Sequence, residues 1–261
     1  MTELRAQQVA PGVHMLPFPI GQVYLWDWGD GLTVVDSGVP GSAEAILDAV
    51  HQLGRTPADV SEIVLTHCHN DHRGSADELA AKTGAEVVAH RLEAPYVRGE
   101  RPQQPPVLID FERPIAEMVL ASTAGHPGPA TDAPDDLEGL ARRLVASIAP
   151  PPPVPVHREL AEGDTLAGGA TVVHIPGHTV GSIAVHLPPT SSRPGVLFTG
   201  DTLASVEGRV IAGVFNVDRP ALYRSIQRLA ALDFEVACFG HGAPVLSSAG
   251  QRVRELAASR G

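Results

Sequence analysis

The run Thr66-His67-Cys68-His69-Asn70-Asp71-His72 places three imidazoles and one carboxylate within six residues. Imidazole and carboxylate together suit zinc, iron or manganese better than calcium or magnesium, which prefer oxygen alone. The run follows an apolar segment, Glu62 to Thr66, and precedes a helical pattern, so it reads as a loop at a strand end. A histidine-rich polar loop is the bland alternative, and the dense spacing argues against it. Three further residues repeat the context. His178, Asp201 and His241 each lie just past a short apolar run, and each follows a glycine (Gly177, Gly200, Gly240) that lets the backbone turn sharply. In open α/β sheets, sites form beyond the carboxyl ends of strands. Four such loops on one edge would gather seven donors around one volume.

Other residues carry two readings each. Asp36, in Val35-Asp36-Ser37-Gly38, either hydrogen-bonds a ligand imidazole from behind or simply forms a turn. His90 either lines the pocket or is an ordinary core or surface histidine. His126 and Tyr223 are weaker candidates. Cys68 lies between two ligands that share a face and should point away from them, so neither Cys68 nor Cys238 is assigned to metal.

The elements that must position these side chains follow from periodicity. Short apolar, β-branched runs predict strands at 13–16, 22–28, 32–35, 62–66, 86–89, 170–175, 182–187, 196–199 and 235–239. Helical spacing predicts helices at 42–53, 75–82, 219–232 and 248–259, with Asp218 capping the third and Pro220 in its first turn. Strands and helices alternate in both halves, which predicts a layered α/β fold. Residues 95–157 break the rhythm and hold more than half of the chain's 24 prolines. Within them, short helices are expected at 115–121 and 135–149, the second capped by Asp135 or Asp136. We expect one domain over 1–261, with 95–157 as an insertion that covers the site without supplying a ligand. The apolar face of its second helix, Leu137, Leu140, Leu144, Val145 and Ile148, could pack on the core, over the pocket or on a partner chain, so a homodimer is among the arrangements expected.

Composition narrows the function classes. The chain has 261 residues, is 43% hydrophobic and carries a formal charge of −11. Its arginines are scattered rather than clustered, so nucleic acid is a poor substrate. No apolar run approaches the roughly 18 residues needed to cross a bilayer, and the first ten residues lack the apolar stretch of a signal peptide. Two cysteines do not make a disulfide framework. The expectation is a cytoplasmic protein without a membrane partner, acting on a small molecule.

The motif His67-Cys68-His69-Asn70-Asp71-His72, followed in order by His178, Asp201 and His241, resembles the metallo-β-lactamase-fold hydrolase superfamily over nearly the whole chain outside the insertion. The resemblance implies a four-layer αββα sandwich and two divalent metal ions, zinc before iron or manganese. His67, His69 and His178 would hold one ion; Asp71, His72 and His241 would hold the other, with Asp201 bridging. It also implies hydrolysis by a metal-bound hydroxide, with Asp71 orienting the nucleophile and passing a proton to the leaving group. Among relatives, glyoxalase II-type thioesterases carry a helical C-terminal domain, whereas 20 residues follow His241 here. True β-lactamases are exported and lack the bridging aspartate. Lactonases keep all seven ligands and carry a comparable insertion. The reading is hydrolysis of a small-molecule ester, lactone or thioester. The alternatives are a mononuclear iron dioxygenase of the sulfur-dioxygenase kind and a non-catalytic zinc-binding protein.

Overall fold

Strands near the middle of the chain are apolar on both faces, and the structure shows why. In the strand Val60–Leu65, Ile63 and Leu65 pack into one core while Val64 packs into another. In Val23–Asp27, Val23 and Leu25 face the first core, and Tyr24 and Trp26 face the second. A sheet covered on both sides needs such continuous runs.

The protein is described by a computed structural model covering residues 4–122, 134, 136–147 and 152–259. Seven strands form one sheet in chain order: β1 (Gln7–Ala10), β2 (Val13–Leu16), β3 (Val23–Asp27), β4 (Leu32–Val35), β5 (Val60–Leu65), β6 (Glu86–His90) and β7 (Arg158–Leu160). The pairs from β4 to β7 are parallel, and the earlier ones are antiparallel. A second sheet contains β8 (Thr171–His174), β9 (Ile183–Leu187) and β10 (Val196–Phe198). A hairpin of β11 (Leu203–Val206) and β12 (Arg209–Ala212) follows, then β13 (Val236–Cys238). The second sheet runs β13-β10-β9-β8.

Three apolar cores separate four layers. The first lies between the large sheet and helices α1 (Ala43–Gln52) and α3 (Ala76–Thr83), which precede and follow the one-turn α2 (Asn70–Arg73). The second lies between the sheets, where Tyr24, Val35, Val64 and Val88 meet Val172, Val185, Val196 and Phe198. Two helices close the far side of the third core. They are the last two in the chain, Arg219–Leu229 and Ala249–Ala258, and they bury Leu222, Ile226 and Val253 against the small sheet. This is the four-layer αββα sandwich that the resemblance implies, and it agrees with the layered α/β fold that the alternating pattern predicts.

Several elements depart from expectation. β1, β7, β11 and β12 are edge or hairpin strands of three or four residues, too short to show a period. The insertion holds α4 (Ala94–Val97), α5 (Arg113–Ser122) and α6 (Leu137–Ser147). Asp136 caps α6, its Oδ1 accepting from Gly139 N at 2.7 Å; Asp135 and residues 148–149 lie outside the described residues. The apolar face of α6 is filled within the chain, with Leu140, Ala141 and Leu144 against Leu108, Ala116 and Phe215. The expected homodimer therefore finds no support in that face. The helix Arg219–Leu229 is α7 and Ala249–Ala258 is α8; among the described residues no helix is long and apolar enough to cross a membrane.

The two sheets are joined at one edge by polar bonds as well as by packing. Tyr24 donates its hydroxyl to Phe239 O at 2.8 Å and accepts from Phe239 N at 3.1 Å. Gln22 N donates to Gly240 O at 2.8 Å, and Ile183 N donates to Thr66 O at 3.0 Å. Tyr24→Phe would strand a buried amide and carbonyl, so it should destabilise the fold by about 1–3 kcal/mol. A lower urea midpoint at unchanged slope is the expected result.

Candidate metal centre

The stitched edge is where the sequence-predicted residues meet. β5 delivers Thr66 and His67, and the chain turns at His69 into α2, which carries Asp71 and His72. The loop after β8 delivers His178, the turn after β10 delivers Asp201, and the turn after β13 delivers His241. Gly177 (φ 142°) and Gly200 (φ 49°) adopt the positive φ expected of them. Gly240 does not, and its reason is space. A Cβ there would lie 2.0 Å from Asp201 Oδ1 and 2.6 Å from His72 Cε1.

Two groups of donor atoms result, each gathered within 4.8 Å: His67, His69, His178 and Asp201, and Asp71, His72 and His241. Asp201 faces both. Its Oδ2 is 3.9 Å from His67 Nε2, 3.7 Å from His178 Nε2 and 3.2 Å from His241 Nε2, while its Oδ1 is 3.3 Å from His72 Nε2. Asp71 Oδ2 lies 3.1 Å from His241 Nε2 and 3.6 Å from His72 Nε2. The first group is the more buried, with the His67 and His178 side chains 1% and 3% exposed and His69 and Asp201 half-buried. The second opens to solvent through Asp71 at 24% and His241 at 42%.

The far ring nitrogens are fixed. Asp36, 3% exposed and at φ 61°, accepts from Thr66 N and Thr66 Oγ1, both at 2.8 Å, and pairs with His72 Nδ1 at 2.9 Å. Since the Thr66 hydroxyl proton goes to Asp36, Thr66 Oγ1 is left to accept from His67 Nδ1 at 3.1 Å. His178 Nδ1 donates to Val214 O at 3.1 Å. Each bond assigns a proton to Nδ1 and turns Nε2 inward, where it can bind a cation once it carries no proton of its own, the usual way a second layer sets a ligand tautomer. Three of the inward atoms, His67 Nε2, His72 Nε2 and Asp201 Oδ1, are buried without a hydrogen-bond partner. Unpartnered buried polar atoms that converge call for a bound group, and a cation meets the need of lone pairs on imidazole and carboxylate alike. The residues fit a metal ion.

Electrostatics divide the imidazoles in the same way. Burial lowers His67 well below its ordinary value, with His72 and His69 adding to it, and burial takes His178 down to about 4. Burial also lowers His69. Asp201 raises His241 to about 10, and Asp201, Asp71 and Asp36 outweigh burial to raise His72. Burial opposes the charge on Asp201, yet His241 and His72 hold its carboxyl well below the usual range. Burial pushes the Cys68 thiol up, which keeps it a neutral thiol rather than a ligand.

Not every candidate joins the centre. His90 stacks on His174 at 4.0 Å between ring centroids, and His174 in turn bonds Val180 O. His126 lies outside the described residues. Other contributors carried no local signal. Glu112, fully buried, accepts from Arg219 Nη2 with both oxygens at 2.9 Å and from Phe215 N at 3.0 Å. That fixes the loop whose Val214 carbonyl orients His178. Its partner is 107 residues away, so no spacing could reveal the pair.

Residues 17–241 match the family model described as the metallo-beta-lactamase superfamily. A hydroxyacylglutathione hydrolase of Cereibacter sphaeroides is 34% identical over 221 residues, covering 82% of this chain. The match spans 59% of that relative's length. "Probable metallo-hydrolase YflN" of Bacillus subtilis is 27% identical, over 91% of this chain and 86% of its own. A metallo-beta-lactamase family protein of Thermus thermophilus superposes with a TM-score of 0.60 at 28% identity, covering 97% of this chain and 80% of its own.

Two outcomes are expected. Gly240→Ala should bind less than the wild-type complement of metal, because the new methyl meets Asp201 and His72; elemental analysis after dialysis reads this. Loading the metal-free protein with zinc at neutral pH should release protons, because a cation must displace those on His72 and His241. Affinity should accordingly fall as pH falls. Calorimetry in two buffers of different ionisation enthalpy measures the release.

Proposed function

This chain belongs to the metallo-beta-lactamase superfamily, and we propose that it is a metal-dependent hydrolase that uses two zinc ions to hydrolyse a small-molecule ester, lactone or thioester. The observation that carries the reading is the Asp201 carboxylate, whose two oxygens face both donor groups. His67, His69 and His178 would hold one ion, and Asp71, His72 and His241 the other, with Asp201 shared. When bound, the two ions would lower the pKa of a water between them toward neutrality and polarise the carbonyl to be attacked.

The protein's own residues supply the rest. The Asp71 side chain is partly exposed and its Oδ2 lies beside His241, so it can hold the attacking oxygen by a hydrogen bond and pass a proton to the leaving oxygen or sulfur. Asp36 and Val214 keep the imidazoles of His72 and His178 from rotating. The exposure of Asp71 and His241 marks the side from which a carbonyl compound approaches. Insertion residues 103–109 run beside the loop that carries His67 and His69. Gln103 Nε2 donates to Cys68 O at 3.2 Å, and Val107 N donates to Asn216 O at 2.8 Å. That contact supports the reading of the insertion as a wall that shapes substrate choice.

A complete second triad disfavours a mononuclear iron dioxygenase, and its open face disfavours a purely structural zinc site, which is normally closed. The test is a panel of lactones, thioesters including hydroxyacylglutathiones, and aryl esters, assayed with zinc-loaded protein of measured stoichiometry. Turnover of one class at two zincs per chain supports the reading. One iron per chain, or no turnover of any class by fully loaded protein, overturns it. Asp201→Ala should fold, lose at least one zinc and lose at least about 100-fold in kcat/KM, beyond the effect usual for residues that only support ligands. Two retained zincs with wild-type turnover would remove the shared-ligand role.

A further inference from the structure

Between the loop of His67 and His69 and the loop of His178 lies a carboxylate that belongs to neither. Glu93 is fully buried and stands directly before α4. Its backbone is fixed on both sides: its N–H donates to His90 O at 2.8 Å, and its carbonyl accepts from Tyr96 N and Val97 N. The side chain therefore projects from a rigid base. Its Oε1 accepts from Cys68 N at 2.8 Å, and its Oε2 accepts from Gly181 N at 2.8 Å. Cys68 is the residue between His67 and His69. Gly181 lies three residues after His178. One carboxylate thus holds both ligand-bearing loops, one with each oxygen.

The surroundings are built for this contact. Arg73 Nε donates to Cys68 O at 2.8 Å and its Nη1 donates to Val97 O at 2.7 Å, so Cys68 is gripped at its amide by Glu93 and at its carbonyl by Arg73. Gly181 admits no side chain. A Cβ there would lie 2.5 Å from Glu93 N and 2.6 Å from Glu93 Oε2. Thr179 N and Thr179 Oγ1 bond Ser182 Oγ at 3.0 and 2.7 Å, which closes the loop that Glu93 fixes. Hydrogen bonds from backbone N–H to an ionised carboxylate are short and strong, so this strut is stiff.

We propose that Glu93 is a positioning residue that sets the spacing of His67 and His69 relative to His178, and so tunes affinity for the ion these three would hold. The proposal rests on the two-ion reading above. The other group, Asp71, His72 and His241, is held by different partners: Asp36 behind His72 and the Gly240 turn behind His241. Loss of Glu93 should therefore act on one ion and spare the other. A merely stabilising carboxylate would instead lower the unfolding midpoint and leave both affinities alone.

The test is zinc titration of the metal-free full chain against a chromophoric chelator, which yields two stepwise affinities. His241→Ala identifies the step that belongs to the second group. Glu93→Gln keeps the shape but turns one acceptor into an NH2 that faces an N–H. It should weaken the other step by about 10–100-fold, the range usual for residues that orient ligands. The step lost in His241→Ala should stay within about threefold of wild type. Glu93→Asp keeps the charge, is one methylene shorter and cannot reach both amides. It should weaken the same step by about tenfold, and it decides the matter should Glu93→Gln fail to fold. Folded Gln or Asp variants with both steps within threefold of wild type overturn the proposal, as does equal weakening of both. A wild-type chain that binds no zinc would instead overturn the metal-centre reading itself.

Discussion

Asp201 places a charged carboxylate in the interior, within 4 Å of four imidazoles. Desolvating an ionised group costs several kcal/mol unless partners restore what water supplied. Imidazoles meet that need only in part, since only protonated ones carry charge, and burial holds His67, His69 and His178 neutral. The balance therefore falls to His72 and His241, which the two aspartates hold protonated, or to cations that replace those protons. Three neutral nitrogens beside a charged carboxylate on one side, and two charged imidazoles beside a second carboxylate on the other, define two places with unequal chemistry.

That constraint explains features of the scaffold that packing alone does not. The donors come from four loops in two sheets, so the sheets must be held in register at one edge to within the tolerance of a ligand bond. Apolar attraction holds the layers together but is non-directional, so by itself it sets register only through packing. The directional bonds of Tyr24 to Phe239, Gln22 to Gly240 and Thr66 to Ile183 remove that freedom where it matters. Asp36 has the same character. Its left-handed backbone is unfavourable for a residue other than glycine, and three hydrogen bonds from Thr66 and His72 hold it there.

What the sequence revealed follows from the same distinction. The seven donors were legible because all lie in loops or turns that follow strands, and four of them fall in one run. The layered fold was legible because central strands carry uninterrupted apolar runs. Hidden from it were contacts whose partners are far apart in the chain: Glu112 with Arg219, Tyr24 with Phe239, and Glu93 with Gly181, 88 residues on. Acidic residues such as Glu93 and Glu112 read as surface charges in any local window, and only the fold buries them. Gly240 shows the limit from the other side. The glycine was evident, but its cause is the approach of Asp201 and His72 rather than a turn.

The asymmetry of the two donor groups has a further consequence. His178 belongs to the more buried group, yet its ring is oriented by Val214, and the next residue, Phe215, is pinned by Glu112 and packs among the helices of the insertion. Phe215 itself sits at φ 61°, a conformation that its surroundings must hold in place. Any displacement of α5 and α6 is thus felt at His178 through two residues of backbone. Asp71 and His241, by contrast, are the more exposed donors, at 24% and 42%. Phe215 thus ties the helices of the insertion to the carbonyl that orients His178, whereas Asp71 and His241 are tied to the first group through Asp201 instead.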